Sequence, residues 1–421
     1  MRNSFKIMSA TLLLSWAVAP VAAQTNLPPN SSTQNCLRFD DVLRLSSERD
    51  PSVIIAQAQE TEADAEIKEA KSLFRPQISA FGRSGFGDTG VVDSSVSNQV
   101  GLRASQRIFD FGDSKYAKQA ARAGYEARVE DTRQARILAA QRTGLSYLSF
   151  VEAQEQIDVT KRRQEYFSRQ LSAVDNLLSR GAATRTERAS VASQLADANA
   201  FILELKFRQE EALTQIQIDT GSLSKLCDTG NLISAMNKKV AILQGVETAT
   251  KIALDINPEV QSLQKQAESL EAIRQREKRS RLPTIDIVAT GSYASTGGFD
   301  QFDFRDRIGV DVSVPLYSGN AIRARNQRAS ARNAIARGRV LDLERQLRKN
   351  ISIGYRRILS LESQLVSRRD VEEQTRLQFE AAEIEQNAGT KTLRDLVEIR
   401  LEYEQAGFNS CLLYTSPSPR D

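Results

Sequence analysis

From Asp113 to Arg180 the chain contains no proline, and glycine only at Gly124 and Gly144. At ~1.5 Å per residue a helix over that stretch reaches about 100 Å. No globular core encloses a helix of that length, so it is a rod or the wall of something larger. Directly before it lies a second unusual stretch. Val96, Asn98, Val100, Leu102, Ala104, Gln106 and Ile108 alternate with Ser97, Gln99, Gly101, Arg103, Ser105 and Arg107. Side chains alternate faces along a strand, so one face is mostly apolar and the other polar. The stretch is longer than an ordinary strand of ~5–6 residues and covers the ~9–11 residues that a tilted strand needs to cross a bilayer.

The arrangement occurs twice. Phe302, Phe304, Ile308, Val310, Val312, Val314 and Leu316 oppose Asp303, Arg305, Arg307, Gly309, Asp311 and Ser313, and a second proline-free run follows over 320–388. Asn257-Pro258 answers Asp50-Pro51, Pro283 answers Pro76 and Gly389 answers Gly181, so the offset between landmarks stays at 207–208 residues. Such a period marks an internal duplication. A shorter alternating stretch precedes each long one, at 77–86 and 284–293, across a polar loop. Helical patterning begins near Phe39, with Asp40 or Asp41 as N-cap, breaks at Asp50-Pro51 and resumes to about Leu73. After the turn Gly181-Ala182-Ala183-Thr184, a helix over 185–220 carries a seam at Val191, Leu195, Ala198, Ile202, Leu205, Ala212 and Ile216. Spacings of three and four, broken by Gln209, are coiled-coil spacings. Ile399, Tyr403 and Ala406 start the same seam in the second copy, but Ser410 answers Ile202.

Residues 1–23 have the form of a secretory signal: Arg2 and Lys6, an apolar core over 7–19, and Val21-Ala22-Ala23 before the expected cleavage. An uncleaved anchor helix is the alternative. Residues 24–35 form a polar linker, 36–221 the first repeat with its strand pair in 76–109, 222–245 a connection, and 246–410 the second repeat with its strand pair in 283–317. Residues 411–421, with Ser416-Pro417-Ser418-Pro419, are expected not to continue the helix. They are either a foreign tail on a truncated repeat or a genuine short terminus.

Beyond the signal no run of ~18 apolar residues occurs, which excludes a helical membrane protein. A mean hydropathy of −0.40 does not exclude a barrel, because only alternate strand residues face lipid. The chain has no histidine and three cysteines. Histidine metal sites and Ser-His or Cys-His chemistry are therefore absent, as is a glycine-rich phosphate loop, so neither an enzyme nor a cofactor is expected. A net charge of +4 with the two signs well mixed is no nucleic-acid footprint.

An open four-stranded sheet cannot sit in lipid, because its edges would leave backbone groups unpaired, and single-chain barrels start at about eight strands. Strands from several chains must close one barrel, eight from a dimer or twelve from a trimer, with the long helices continuing it as a coiled-coil tube. Taken singly, the alternating stretches also suit a soluble sandwich and the long helices a rod.

This order of elements, duplicated over about 36–406, resembles the TolC family of outer-membrane export channels. The sharpest local matches are Ser105-Gln106-Arg107-Ile108-Phe109-Asp110, the turn from Gly181 to Glu187, and Gly389-Thr390-Lys391-Thr392 with Asp395 and Glu398. The resemblance implies an α+β membrane protein, four strands per chain in a trimeric twelve-stranded β-barrel continued by a long α-helical periplasmic tunnel. It implies the outer membrane of a Gram-negative bacterium, and passive conduction of small molecules or polypeptides. The implied partners are a periplasmic adaptor and an inner-membrane ABC or proton-driven transporter. A periplasmic coiled-coil adaptor is the competing reading, and the cargo is open.

By the same resemblance Gly181, Ala182, Ala183, Thr184, Gly389 and Thr390 form adaptor-docking tips. Asp395 and Glu398 ring the narrowest point, and Lys391 ties the second hairpin to Thr186 and Glu187 of the first. The residues alone equally allow glycine caps and a solvated helix face. Cys36 and Cys227 are expected to pair across the repeat boundary in an oxidising compartment; the alternative is two free thiols.

Overall fold

The computed structural model describes residues 36–87, 95–227, 245–296 and 303–415. The expected signal peptide and linker, most of the inter-repeat connection and the last six residues lie outside the described residues.

Strand β1 (Cys36–Leu37) leads into helices α1 (Phe39–Arg49) and α2 (Pro51–Ser72). The break between the helices is a cap: Pro51 opens α2 and the Asp50 carboxylate accepts from Ser52 N–H at 2.8 Å. Proline suits a first helical position, where its missing N–H costs nothing. Helix α1 starts one residue before the expected caps. Arg38 is its N-cap, and Asp41 reaches back to Arg38 N–H at 3.4 Å. Strands β2 (Gln77–Gly87) and β3 (Ser95–Phe109) follow, then helices α3 (Asp113–Ser179) and α4 (Arg185–Thr220) and strand β4 (Lys225–Leu226).

The second copy comprises α5 (Val246–Ile256), α6 (Pro258–Arg279), β5 (Thr284–Thr296), β6 (Asp303–Ser313), α7 (Ala321–Asn387) and α8 (Leu393–Thr415). Asn257 caps α6 as Asp50 caps α2, accepting from Val260 N–H at 3.1 Å. Two expectations need correction. The alternation of Val314 and Leu316 does not make strand, because β6 ends at Ser313, two residues before Pro315, which has no N–H for a ladder. Conversely α8 runs to Thr415, into the segment expected to be non-helical. Cys411-Leu412-Leu413-Tyr414-Thr415 contains no breaker, and only Pro417 disfavours helix in the residue before it.

The four long strands form one antiparallel sheet in the order β2-β3-β5-β6. Long helices α3 and α7 each leave the sheet beside a shorter helix and fold back at the far end into α4 and α8. The amino-terminal part of α3 packs between α2 and α6, and its carboxy-terminal part on α4. Alanines make the close approach possible: Ala117, Ala120 and Ala127 are buried, and Ser269 of α6 donates to Ala120 O at 2.8 Å. The α4 seam is buried at Val191, Ala198, Ile202, Leu205, Ala212 and Ile216. Its polar interruption is matched across the hairpin, where Gln209 donates to Gln154 of α3 at 2.5 Å.

Midway along, β1 pairs in parallel with β4, and Cys36 and Cys227 form a disulfide across them with Cα atoms 4.9 Å apart. Val42, Tyr147, Val151 and Ile216 form the core beneath it. Free-thiol labelling of unfolded, unreduced protein should find no reactive sulfur at either position, leaving Cys411 alone. Cys36→Ser should cost ~2–4 kcal/mol of stability, read as a lower midpoint of chemical denaturation.

Candidate functional site

The register of the sheet fixes what each face carries. Leu102 pairs with Ala80 and Gly291, Val100 with Gly82 and Tyr293, and Ala289 with Ile308. That face is apolar and bare: Ile78 is 74% exposed, Ile308 81% and Val310 63%. Among the described residues its one charged side chain is Asp306. Aromatic pairs mark its two ends. Tyr293 and Phe304 lie 5.2 Å apart, and Phe109 and Phe111 4.6 Å apart where the strands leave for the helices. From Ile285, paired with Phe109, to Tyr293 is roughly 26 Å of strand at ~3.3 Å per residue. Aromatic girdles bounding an apolar band are the outer dress of a membrane barrel.

The opposite face carries five arginines (83, 103, 107, 305 and 307) and three aspartates (286, 303 and 311). Arg107 pairs with Asp286 at 3.3 Å and Arg103 with Asp311 at 3.8 Å. Gly101 is required by a close approach of strands, since a Cβ there would meet Gly291 O and Ser292 Cβ, each at 2.6 Å.

At the sheet's helical end Asp110, 3% exposed, accepts from the N–H groups of Gly112 and Ser114 at 3.1 and 2.8 Å, and from the Ser114 hydroxyl. Phe111 and Gly112 take positive φ of 50° and 95°. The turn redirects a strand into a helix, and Asp110 caps that helix at once.

The far tips are two copies of one device. Gly181 has φ +71° and Gly389 +80°. Ala182 N–H donates to Leu177 O at 2.8 Å and Gly181 N–H to Leu178 O at 3.0 Å; Thr390 and Gly389 repeat this with Glu385 and Gln386 at 2.9 and 3.0 Å. Left-handed glycine closing the last carbonyls is a helix stop. The return helices start with capping boxes. Thr184 exchanges hydrogen bonds with Glu187, and Thr392 with Asp395. The bonds from Thr184 N–H and hydroxyl hold the Glu187 carboxyl below its ordinary pKa. The Thr392 hydroxyl and then its N–H do the same for Asp395. Both groups are thus kept ionised at neutral pH.

This bears on the expected gate. Lys391 does not reach Thr186 or Glu187: among the described residues its ion-pair partner is Glu385, at 3.0 Å, in its own hairpin. Glu187 instead accepts from the Thr184 N–H and hydroxyl of its own cap. Asp395 is likewise a capping residue, whereas Glu398, exposed one turn on, is free of the cap. Gly181 and Ala182 are exposed, but Ala183 is half-buried and packs on the core behind the tip.

That core was not foreseen. Tyr166, Phe167 and Val174 of α3 and Val191 of α4 meet Phe379 and Ala382 of α7 and Leu396 and Val397 of α8, locking the two hairpins together. Arg400 lies over the Tyr166 and Phe379 rings at 4.5 and 4.7 Å, and Glu404 pairs with Arg400 at 2.7 Å and with Arg163 of the other hairpin at 3.3 Å. Burial raises the Glu404 carboxyl despite both arginines and pushes the Tyr166 phenol up to about 12. No sequence spacing relates Arg163 to Glu404; the one available hint is a glutamate adjoining the seam residue Tyr403.

A sheet with one lipid-type face and one charged face, standing on paired long helices, defines the wall of a membrane channel with a helical tunnel. The family model for outer membrane efflux proteins matches residues 42–222. The chain is 24% identical over 244 residues to the alkaline protease secretion protein AprF of Pseudomonas aeruginosa. That segment is 57% of this chain and 50% of AprF, so half of that relative's length is spanned. It is 22% identical over 340 residues to the outer membrane efflux protein BepC of Brucella suis, covering 79% of this chain and 72% of BepC. The crystal structure of CusC superposes with a TM-score of 0.78 at 16% identity, over 90% of this chain and 89% of CusC. Residues 42–222 thus match outer membrane efflux proteins, the fold is shared with solved outer-membrane channels, and the place of the chain is the outer membrane, with a large periplasmic helical portion.

Proposed function

We propose that three copies of the chain close a twelve-stranded barrel and a continuous helical tunnel. The assembly serves as the outer-membrane exit duct of a tripartite export system, conducting passively what an inner-membrane ABC or proton-driven transporter delivers through a periplasmic adaptor. The observation that carries this reading is the sheet. Its apolar face is bare, its opposite face is charged, and β2 and β6 each pair on one side only. Lipid satisfies the first condition, water in a lumen the second, and a neighbouring copy the third. A coiled-coil adaptor has no use for such a sheet. One relative is named for protein secretion and the other for efflux, so both cargo classes stay within the proposal.

At the periplasmic tip, Glu398 and Asp395 are three residues apart and share a helix face; three chains bring six carboxylates around one axis. Purified in detergent, the protein should have the mass of three chains and give discrete conductance steps in a planar bilayer. Cobalt hexaammine added on the tip side should block them. Glu398→Ala should weaken that block, and the Asp395 ring, kept ionised by its cap, should hold the remainder. A monomer that never conducts would overturn the duct, and block untouched by Glu398→Ala would overturn the tip assignment.

A further inference from the structure

The inner face of the sheet is not uniformly mixed in charge. Two adjacent rows cross its middle, read from the strand register. One runs Ser79, Arg103, Thr290, Arg307; the next runs Phe81, Gly101, Ser292, Arg305. Neither row contains a carboxylate. The inward aspartates lie outside them, Asp303 toward the open end of the strands and Asp286 and Asp311 toward the helices. Arg103 is partly compensated, 3.8 Å from Asp311. Arg305 and Arg307 are exposed and have no ion-pair partner among the described residues. They sit on the edge strand β6, and the row inward of Arg305 holds only the small residues Ser292, its neighbour, and then Gly101 before Phe81.

From this juxtaposition we infer that the barrel lumen carries an anion-binding belt at mid-height, formed by Arg305 and Arg307 with Arg103 behind them. Its ligands are solutes bearing phosphate-type or clustered carboxylate groups. The inference rests on the trimeric duct proposed above. In that assembly nine arginines fall in two rungs about 7 Å apart, two residues along a strand, and six of them have no ion-pair partner among the described residues of their own chain. Rings of arginine select anions in pores, and the planar guanidinium matches an oxyanion with two parallel hydrogen bonds. The duct is then electrically two-ended, basic in the membrane and acidic at the periplasmic tip. An anion meets its binding site from the outside, a multivalent cation from the inside.

The test uses purified full-length protein in a planar bilayer, with inorganic pyrophosphate added to the barrel side and cobalt hexaammine to the tip side. Pyrophosphate should block from the barrel side. The double variant Arg305→Gln, Arg307→Gln should need about tenfold more of it or beyond, as expected when two of three guanidinium groups per chain are removed from a ring of this kind. Block by cobalt hexaammine from the tip side should not change, which also shows that the variant has folded and assembled. Arg83→Gln, outside the two rows, should leave pyrophosphate block within about twofold. Conductance without pyrophosphate block, or block weakened as much by Arg83→Gln as by the double variant, would overturn the belt while leaving the duct standing. If no conducting unit forms at all, the duct reading falls and the belt with it.

Discussion

Leu102→Arg should abolish recovery of assembled oligomer from the outer-membrane fraction, while Arg103→Leu, the next residue, should leave it nearly unchanged. Leu102 stands at the centre of β3, 60% exposed on the bare face between Ala80 and Gly291. A guanidinium on the lipid face near the midplane costs ~2–4 kcal/mol, and a trimer incurs that cost three times, roughly 6–12 kcal/mol in all. Of the residues described on that face only Asp306, in the same row across Gly291, carries a counter-charge, and an ion pair with it would still lie in lipid. Arg103 points the other way, and its ion pair with Asp311 is long and half-exposed. Exposed pairs of this kind are worth ~0–1 kcal/mol, so the leucine variant loses little and keeps its place in a water-filled lumen. Equal yields of oligomer from the two variants, measured by heat-resistant migration and by mass in detergent, would mean that the faces are assigned the wrong way round.

The strands and long helices were legible because their signals are local. Alternation from Val96 to Ile108 gave β3 its face, and the absence of breakers from Asp113 onward gave α3 its length. The Asp50-Pro51 and Asn257-Pro258 pairs announced both the break and the cap. Where a local signal misled, another local signal was the stronger. Val314 and Leu316 continued the alternation, but Pro315 between them could not join the ladder. The tip residues are a different case. Thr184 to Glu187 and Thr392 to Asp395 have the spacing of a capping box, so their mutual bonds were readable. The resemblance gave Glu187 and Asp395 a role at the gate, and each also makes the bonds of its cap, whose partner is three residues away. The Tyr166–Phe379–Arg400–Glu404 core was illegible for the opposite reason. It joins four helices whose relative rotation is set by packing along their whole length, and no spacing within any one of them records it.

At the tip the structure changes which substitution tests docking. Gly181, Ala182 and Ala183 are all small, which suits close approach of a partner's helices. Only the first two are exposed; Ala183 is half-buried against the cluster of Tyr166, Phe167 and Val191. A tryptophan at Ala183 would overpack that core, at a cost of ~1–3 kcal/mol, and a lost function would then say nothing about partners. Gly181 is equally unsuitable, since its φ of +71° would strain any side chain although open space surrounds it. Ala182 is free of both objections. Ala182→Trp should keep the trimer's mass, its thermal midpoint and its conductance steps, because the new side chain projects from the end of the hairpin. Export in cells carrying the complete system should fall at least about tenfold, the loss that follows when ~1.4 kcal/mol of docking free energy is removed. Site-specific cross-linking to the adaptor from the neighbouring exposed position 185 should disappear in parallel. Wild-type export by a stable, conducting Ala182→Trp channel would show that the tips are helix stops and nothing more.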